Sequence, residues 1–381
     1  MDKWKSKVKG IIDCHVHMGS IADEESMLKI RETTGIEKMA LVSIQNPMAG
    51  TGLPQSLYMK AQYPKLFFVF AGLNHAQKLS NGRVKTPSLV QQVDGFVKMG
   101  CDGIKMIEGK PTSRQRMNIP VIVPYFADYW AHVEELGIPI VWHVNDPEEF
   151  WDPAKIPKWA KERNWGYGPD DVQKEQLYNE VDEVLIRHPN LRIIFAHFYF
   201  LSADLARARR FFDDHTTVKF DLAPGIEMLY NLSQDPDTSR EFFIHYAERI
   251  VFGTDLSSRL SVEEGRIRSG LVFRWLESKD TFRVPEEADF LLGSPDDGLI
   301  RGLSLPEDTL TKIYHDNFVR LVGMEPHTLD IEKAVEECER LGAIAETLSS
   351  EPVSKTEATM VAKKLCDDEK SHYEIRNKDS C

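Results

Sequence analysis

The chain has little with which to staple, anchor or positively charge itself. Its 381 residues include five cysteines, at positions 14, 101, 338, 366 and 381. So few, so scattered and odd in number, they exclude a disulfide framework. No run approaches the roughly 20 apolar residues of a membrane span, so no membrane partner is expected. Basic charge is also short, with 47 Lys+Arg against 60 Asp+Glu and a formal charge of −13. That balance removes the attraction a phosphate backbone would need, and no nucleic acid is expected as a partner. The basic start MDKWKSKVKG runs into IIDCHVH without an apolar leader core or a small-residue cleavage site. A reducing, cytoplasmic setting is the expectation. Internal repeats and low-complexity tracts are lacking as well.

What is present suffices for a full core: 42% of the residues are hydrophobic and 28% charged. Short β-branched or apolar runs recur at 11–17, 39–45, 66–73, 101–107, 138–144, 191–197, 217–223 and 250–255. Between them lie segments of helical period at 23–34, 88–99, 123–136, 170–187, 203–214 and 239–248, several ending near Gly35, Gly100, Gly137 or Pro189. Eight strands, each followed by a helix or a long loop, predict an α/β fold, a (β/α)8 TIM barrel over residues 1–324. Residues 325–381 are expected to be a helical extension with a charged tail rather than an independent domain. Its helix is read from Ile331, Ala334, Val335, Cys338, Leu341, Ile344, Ala345 and Leu348. Long loops are expected after strand five, at 145–169, and after strand eight, at 256–304. The first carries Trp151, Trp159, Trp165 and Tyr167, which suit either a wall over the barrel mouth or a loop packed on its own aromatics.

His15 and His17 sit two apart on the first strand, so the strand period places both imidazoles on one side. An isolated His-x-His pair is weak evidence of a metal site. Here His143 ends strand five, His197 ends strand six and Asp255 ends strand eight, and in a barrel such ends converge on the C-terminal mouth. The bland reading, satisfied core polar groups, becomes hard to sustain for all five together. His132, His188, His215, His245, His315, His327 and His372 fall in helical or surface contexts and are read as structural, while His75 is a candidate for an outer hydrogen bond to the site.

Several segments together resemble the amidohydrolase superfamily, in particular its amidohydrolase-related (amidohydrolase 2) branch of metal-dependent hydrolases and decarboxylases. They are Asp13-Cys-His15-Val-His17, Gly103-Ile-Lys105, Trp142-His143, the run 187–197 ending in His197, Val251-Phe-Gly-Thr-Asp255, and the run 313–323 containing Asn317. The resemblance implies metal ligation by His15, His17, His143 and Asp255, with His197 as a further ligand or catalytic hydrogen-bonding group. Such a donor set suits Zn2+, and also Mn2+, Fe2+ or Co2+. A bound ion lowers the pKa of its water toward about 7, and Asp255 is then the expected base. Lys105 occupies a position where some relatives carry a carboxylated lysine between two metals. The expectation here is an unmodified ammonium and one ion per chain, with Lys105 and Arg259 as candidate carboxylate-binding groups. Asp221 suits either an outer partner of the site or a cap.

The implied activity is hydrolysis of a C–O or C–N bond in a small cyclic or carboxylated molecule. The alternative is non-oxidative decarboxylation of a small carboxylic acid, and a third reading is a catalytically silent metal-binding scaffold. A homodimer is what the resemblance implies.

Overall fold

Alternate residues along the strands feed two different apolar layers, and this two-sided burial is what a barrel wall requires. The computed structural model describes residues 5–225, 227–288, 292, 295–349 and 352–378; the side chains of Trp159, Val353 and residues 368–378, His372 among them, lie outside that description. The strands are β1 (Ile12–His17), β2 (Lys38–Val42), β3 (Phe67–Gly72), β4 (Gly103–Gly109), β5 (Ile140–Val144), β6 (Ile193–Phe195), β7 (Lys219–Asp221), β8 (Ile250–Val251) and β9 (Leu256–Ser257). They form one parallel sheet in the order β8-β7-β6-β5-β4-β3-β2-β1-β9. β8 pairs with β7, Cys14 N donates to Phe252 O at 3.0 Å, and β9 pairs with β1 through Val16↔Leu256 and His17↔Ser257. The stretch 250–257 therefore carries the sheet from β7 round to β1, the curled arrangement of a TIM barrel.

Inside the curl lie Ile12, Cys14, Ala40, Val42, Phe68, Phe70, Val141, Ile194 and Val251, with Phe318 and Leu321 packed among them. The intervening strand residues, such as Met39, Leu41, Val69 and Trp142, face the surrounding helices. Those helices are α1 (Glu24–Thr34), α2 (Leu53–Gln62), α3 (Leu89–Met99), α4 (Pro124–Leu136), α5 (Lys174–Arg187), α6 (Leu205–Asp214), α7 (Pro236–His245) and α8 (Val262–Glu277), and beyond the barrel α9 (Ile331–Ser349) and α10 (Glu357–Lys378). Their ends follow local chemistry: Ser88 caps α3 by accepting from Gln91 N, and Gly100 ends it at φ 91°.

Helix α2 has no counterpart among the helical periods of the sequence. Every residue from Leu53 to Lys60 is buried, so the helix presents no polar face and hence no amphipathic stripe to read. Helices α9 and α10 supply part of its cover. Where a charged tail is expected, α10 forms, burying Ala358, Val361, Ala362 and Leu365, and its Glu357 Oε1 accepts Ile21 N–H at 2.7 Å. Small alanines make that stripe faint in composition although its spacing is helical.

Candidate active site

Two departures from regular strand geometry build the mouth. Between Asp13 and Val16 the pairing of β1 with β2 skips a residue, a bulge that turns side chains from one face to the other. Cys14 thus joins the interior cluster while His15 and His17 both line the cleft above it. The second departure is left-handed backbone. His197, Phe198, Tyr199 and Phe200 have φ of 58°, 54°, 56° and 51°, and Asp255 has 55°. Each such residue costs about 1–2 kcal/mol, and strain of this kind concentrates at functional sites. Consequently β6 stops at Phe195 and β8 at Val251; His197 and Asp255 stand on turns beyond the strands, not on the strand ends expected from their sequence runs.

The cleft has a volume of about 210 Å³. His15, His17, Lys105, His143, His197 and Asp255 lie on its walls with Lys110 and Asp146, and the apolar part includes Ile44, Ile107, Phe150, Trp165 and Phe200. Among the described residues, donor atoms of His15, His17 and Asp255 all lie within 4.8 Å of one another. Asp255 Oδ1 is 3.0 Å from His17 Nε2 and 3.6 Å from His15 Nε2. Two ligands each about 2.1 Å from a shared ion stand roughly 3.0–3.4 Å apart, so the His17–Asp255 spacing is that of ligands on one ion and the His15–Asp255 spacing lies just above it.

Hydrogen bonds fix which nitrogen faces the cleft. His15 Nδ1 donates to Asp221 Oδ2 at 2.7 Å, His17 Nδ1 to Val42 O at 2.9 Å and His197 Nδ1 to Ala223 O at 3.1 Å. A carbonyl or carboxylate only accepts, so each Nδ1 carries the proton and Nε2 keeps a lone pair. This is the outer support that metal-ligating imidazoles have. For His17 the consequence is sharp, because its Nε2 lone pair would face the Asp255 carboxylate unless a cation or a second proton lies between them. The donor set therefore fits a divalent ion.

The electrostatics agree. Burial and the Lys105 ammonium hold the His15 pKa well below the ordinary imidazole value, and burial lowers His197 to about 4. Burial opposes ionisation of Asp255, but the close contact with His17 and the surrounding imidazoles outweigh it and hold the carboxyl well below the usual range. Burial brings Lys105 down to about 8, and its Nζ lies 3.3 Å from His15 Nε2.

His143 stands apart from the converging trio. Its Nε2 is 3.0 Å from Asn145 O and 3.3 Å from Asp146 Oδ1, and its ring centroid is 4.8 Å from that of His197. Arg259 is not at the cleft: it is exposed, and its side chain lies over Gly19, where an added Cβ would meet Nε at 2.6 Å. The nearby guanidinium is instead Arg268 of α8, 1% exposed, with Nη1 4.0 Å from Asp255 Oδ2 and 3.3 Å from Thr254 O. An arginine on the apolar face of α8, between Ile267 and Leu271, was the available signal. Asp221, left open between two roles, bonds His15 and also accepts His197 N–H at 2.7 Å. Lys110 went unmarked; its Nζ is 2.5 Å from Asp146 Oδ1 and 5.0 Å from the Trp165 ring centre. His75 bonds Glu108 at 2.7 Å and Tyr125 at 2.9 Å and is not among the cleft's lining residues.

The loop after β5 combines both readings of its aromatics. Phe150, Ile156, Ala160 and Tyr167 form their own cluster, with Trp151 and Trp165 against it, while Phe150 and Trp165 also line the cleft. After β9, α8 leads to a two-stranded antiparallel ribbon, Thr281–Phe282 with Ile300–Arg301.

A TIM-barrel protein from Bordetella bronchiseptica superimposes with a TM-score of 0.50 at 13% identity, over 83% of this chain and 99% of that one. A 2,6-dihydroxybenzoate decarboxylase complexed with 2,6-dihydroxybenzoate gives 0.50 at 15% identity, over the same shares. Identities this low speak for the fold. No curated protein matches the chain. The family model described as amidohydrolase matches residues 109–324, more than half of the sequence, and the chain belongs to that family.

Proposed function

We propose that the protein is a metal-dependent hydrolase that cleaves a C–O or C–N bond in a small cyclic or carboxylated molecule. The divalent ion, Zn2+ by preference with Mn2+, Fe2+ or Co2+ as alternatives, is held by His15, His17 and Asp255. The observation that carries the proposal is His17, whose Nδ1 is committed to Val42 O while its Nε2 lies 3.0 Å from a carboxylate. When bound, such an ion polarises a substrate oxygen and lowers the pKa of water toward about 7.

The chain's own groups do the rest. Asp255, kept ionised, takes the proton of the attacking water and returns it to the leaving group. His197, neutral and with Nδ1 occupied, presents an accepting nitrogen that orients substrate or adds a ligand. Lys105 meets a substrate carboxylate once the His15 lone pair is engaged elsewhere. His143, bonded to Asn145 and Asp146, serves as a wall residue in this reading. Phe150, Trp165 and Phe200 exclude water from the bound molecule.

A second reading, decarboxylation, draws on one observation: the cleft joins an ammonium to apolar and aromatic walls, which strip water from a carboxylate. Product analysis separates the two. Hydrolysis incorporates one oxygen from labelled water and releases no carbon dioxide; stoichiometric carbon dioxide without incorporation establishes the lyase. In either case Asp255→Asn is expected to lower kcat by about a hundredfold or more, and wild-type turnover would remove Asp255 as the proton carrier.

A further inference from the structure

Beside the catalytic cleft lies a second cavity of about 500 Å³, lined by Glu148, Glu149, Trp151, Lys174, Phe200 and Glu227 among others. Phe200 and Pro147 line both cavities. Glu227 is 8% exposed, and neither of its carboxylate oxygens has a side-chain or neighbouring backbone partner among the described residues. Glu149 Oε2 is likewise shielded from solvent without a partner there. A buried carboxyl with no hydrogen bond beyond its own amide is costly, and natural structures rarely keep one without a use.

The charge around it is unbalanced. Glu148, Glu149 and Glu227 face one ammonium that is in no close ion pair among the described residues, that of Lys174, since Lys155 lies 3.4 Å from Asp152. Lys174 Nζ donates to Phe200 O at 3.4 Å and feels Glu148, Glu227 and Glu149 only through space. The acids do not converge as a metal site, because the group that does so among the described residues is His15, His17 and Asp255. The Lys174 ammonium repels a divalent ion about twice as strongly as a singly charged one. One buried carboxylate with Trp151 and Phe200 rings nearby instead suits a singly charged organic cation, held by an ion pair and by ring faces.

We propose that this cavity is a binding site for a small organic cation, a primary ammonium or guanidinium, with Glu227 as its anionic partner and Trp151 and Phe200 as its apolar walls. The site is separate from the metal trio and does not depend on which bond the cleft breaks. Its position behind Phe200 and against Gly225, where an added Cβ would meet Glu227 Oε2 at 2.7 Å, lets an occupant touch the wall of the cleft.

The test is calorimetric titration of the full-length, metal-loaded protein with benzylammonium and with its neutral counterpart benzyl alcohol. It is run at pH 8, above the value of about 7 to which burial raises Glu227. Benzylammonium is expected to bind at least about tenfold more tightly than the alcohol, as charge-assisted pairing implies. Glu227→Gln should remove that difference while leaving binding of the alcohol unchanged. Since this carboxyl has no side-chain partner to lose among the described residues, the variant's thermal midpoint should match or exceed that of the wild type. Equal binding of the two probes, or wild-type preference in folded Glu227→Gln, overturns the proposal. Should Glu227→Gln fail to fold, Glu149→Gln decides, because a preference left unchanged there also overturns it.

Discussion

The two ends of the barrel handle buried polar groups in opposite ways. At the start of β4, Lys60 is fully buried and donates to Gly100 O at 2.7 Å and to Asp102 Oδ2 at 2.5 Å. Asp102 also accepts N–H groups from Val69 and His327, each at 2.7 Å. Asn317, at the same end, donates to Ala247 O and Ile250 O, while its Oδ1 is buried without a partner among the described residues. At the mouth, by contrast, the imidazoles are pinned at one nitrogen and open at the other, and Asp255 is held ionised among them. Satisfied networks give rigidity, whereas lone pairs aimed at one point leave a place for a cation. The difference teaches that burial alone does not mark a site; donor atoms of several groups converging on one point do.

The comparison breaks most visibly if the mouth is not a metal site. Wild-type protein is expected to hold one divalent ion per chain after dialysis, and His15→Ala with His17→Ala to hold none, because two inner ligands disappear. Metal analysis checks both, and stoichiometric metal in the double variant would sink the assignment. At the closed end the expected loss is in stability: Asp102→Ala strands the Lys60 ammonium and should cost about 3–5 kcal/mol by denaturant titration, with metal content unchanged. Loss of the ion in that variant would mean that the two ends are coupled.

The smallest effect concerns Lys105. Its pKa of about 8 leaves it charged below that pH and neutral above. Benzoate bound to metal-free protein should therefore weaken by up to about tenfold as pH rises from 7 to 9, and Lys105→Met should flatten the profile. Two ions per chain, or a carbamate on Lys105, would replace the single-ion reading with a bridged pair.

Strand positions were legible because each barrel strand is a short apolar run between turn-forming residues, a local property of the chain. The amphipathic helices were legible for the same reason, and α2 was not, since cover on all sides erases its period. Within the site, the sequence brought His15, His17, His197 and Asp255 to the mouth, because strand order alone sends the strand ends and the turns just beyond them there. It misjudged Arg259 and passed over Arg268 and Lys110. Whether an arginine faces a cleft or solvent depends on the path of the loop or helix that bears it.

What the sequence determined by itself, then, is the set of elements and the chemistry available at one end of the barrel. Tertiary structure alone decided the β1 bulge, the left-handed turn at His197–Phe200, the choice of tautomers and the turning of His143 toward Asn145 and Asp146. The physical reason is range. Periodicity acts over a few residues, whereas the bond from His15 to Asp221 joins groups 206 positions apart, and only the closed sheet brings them within 2.7 Å.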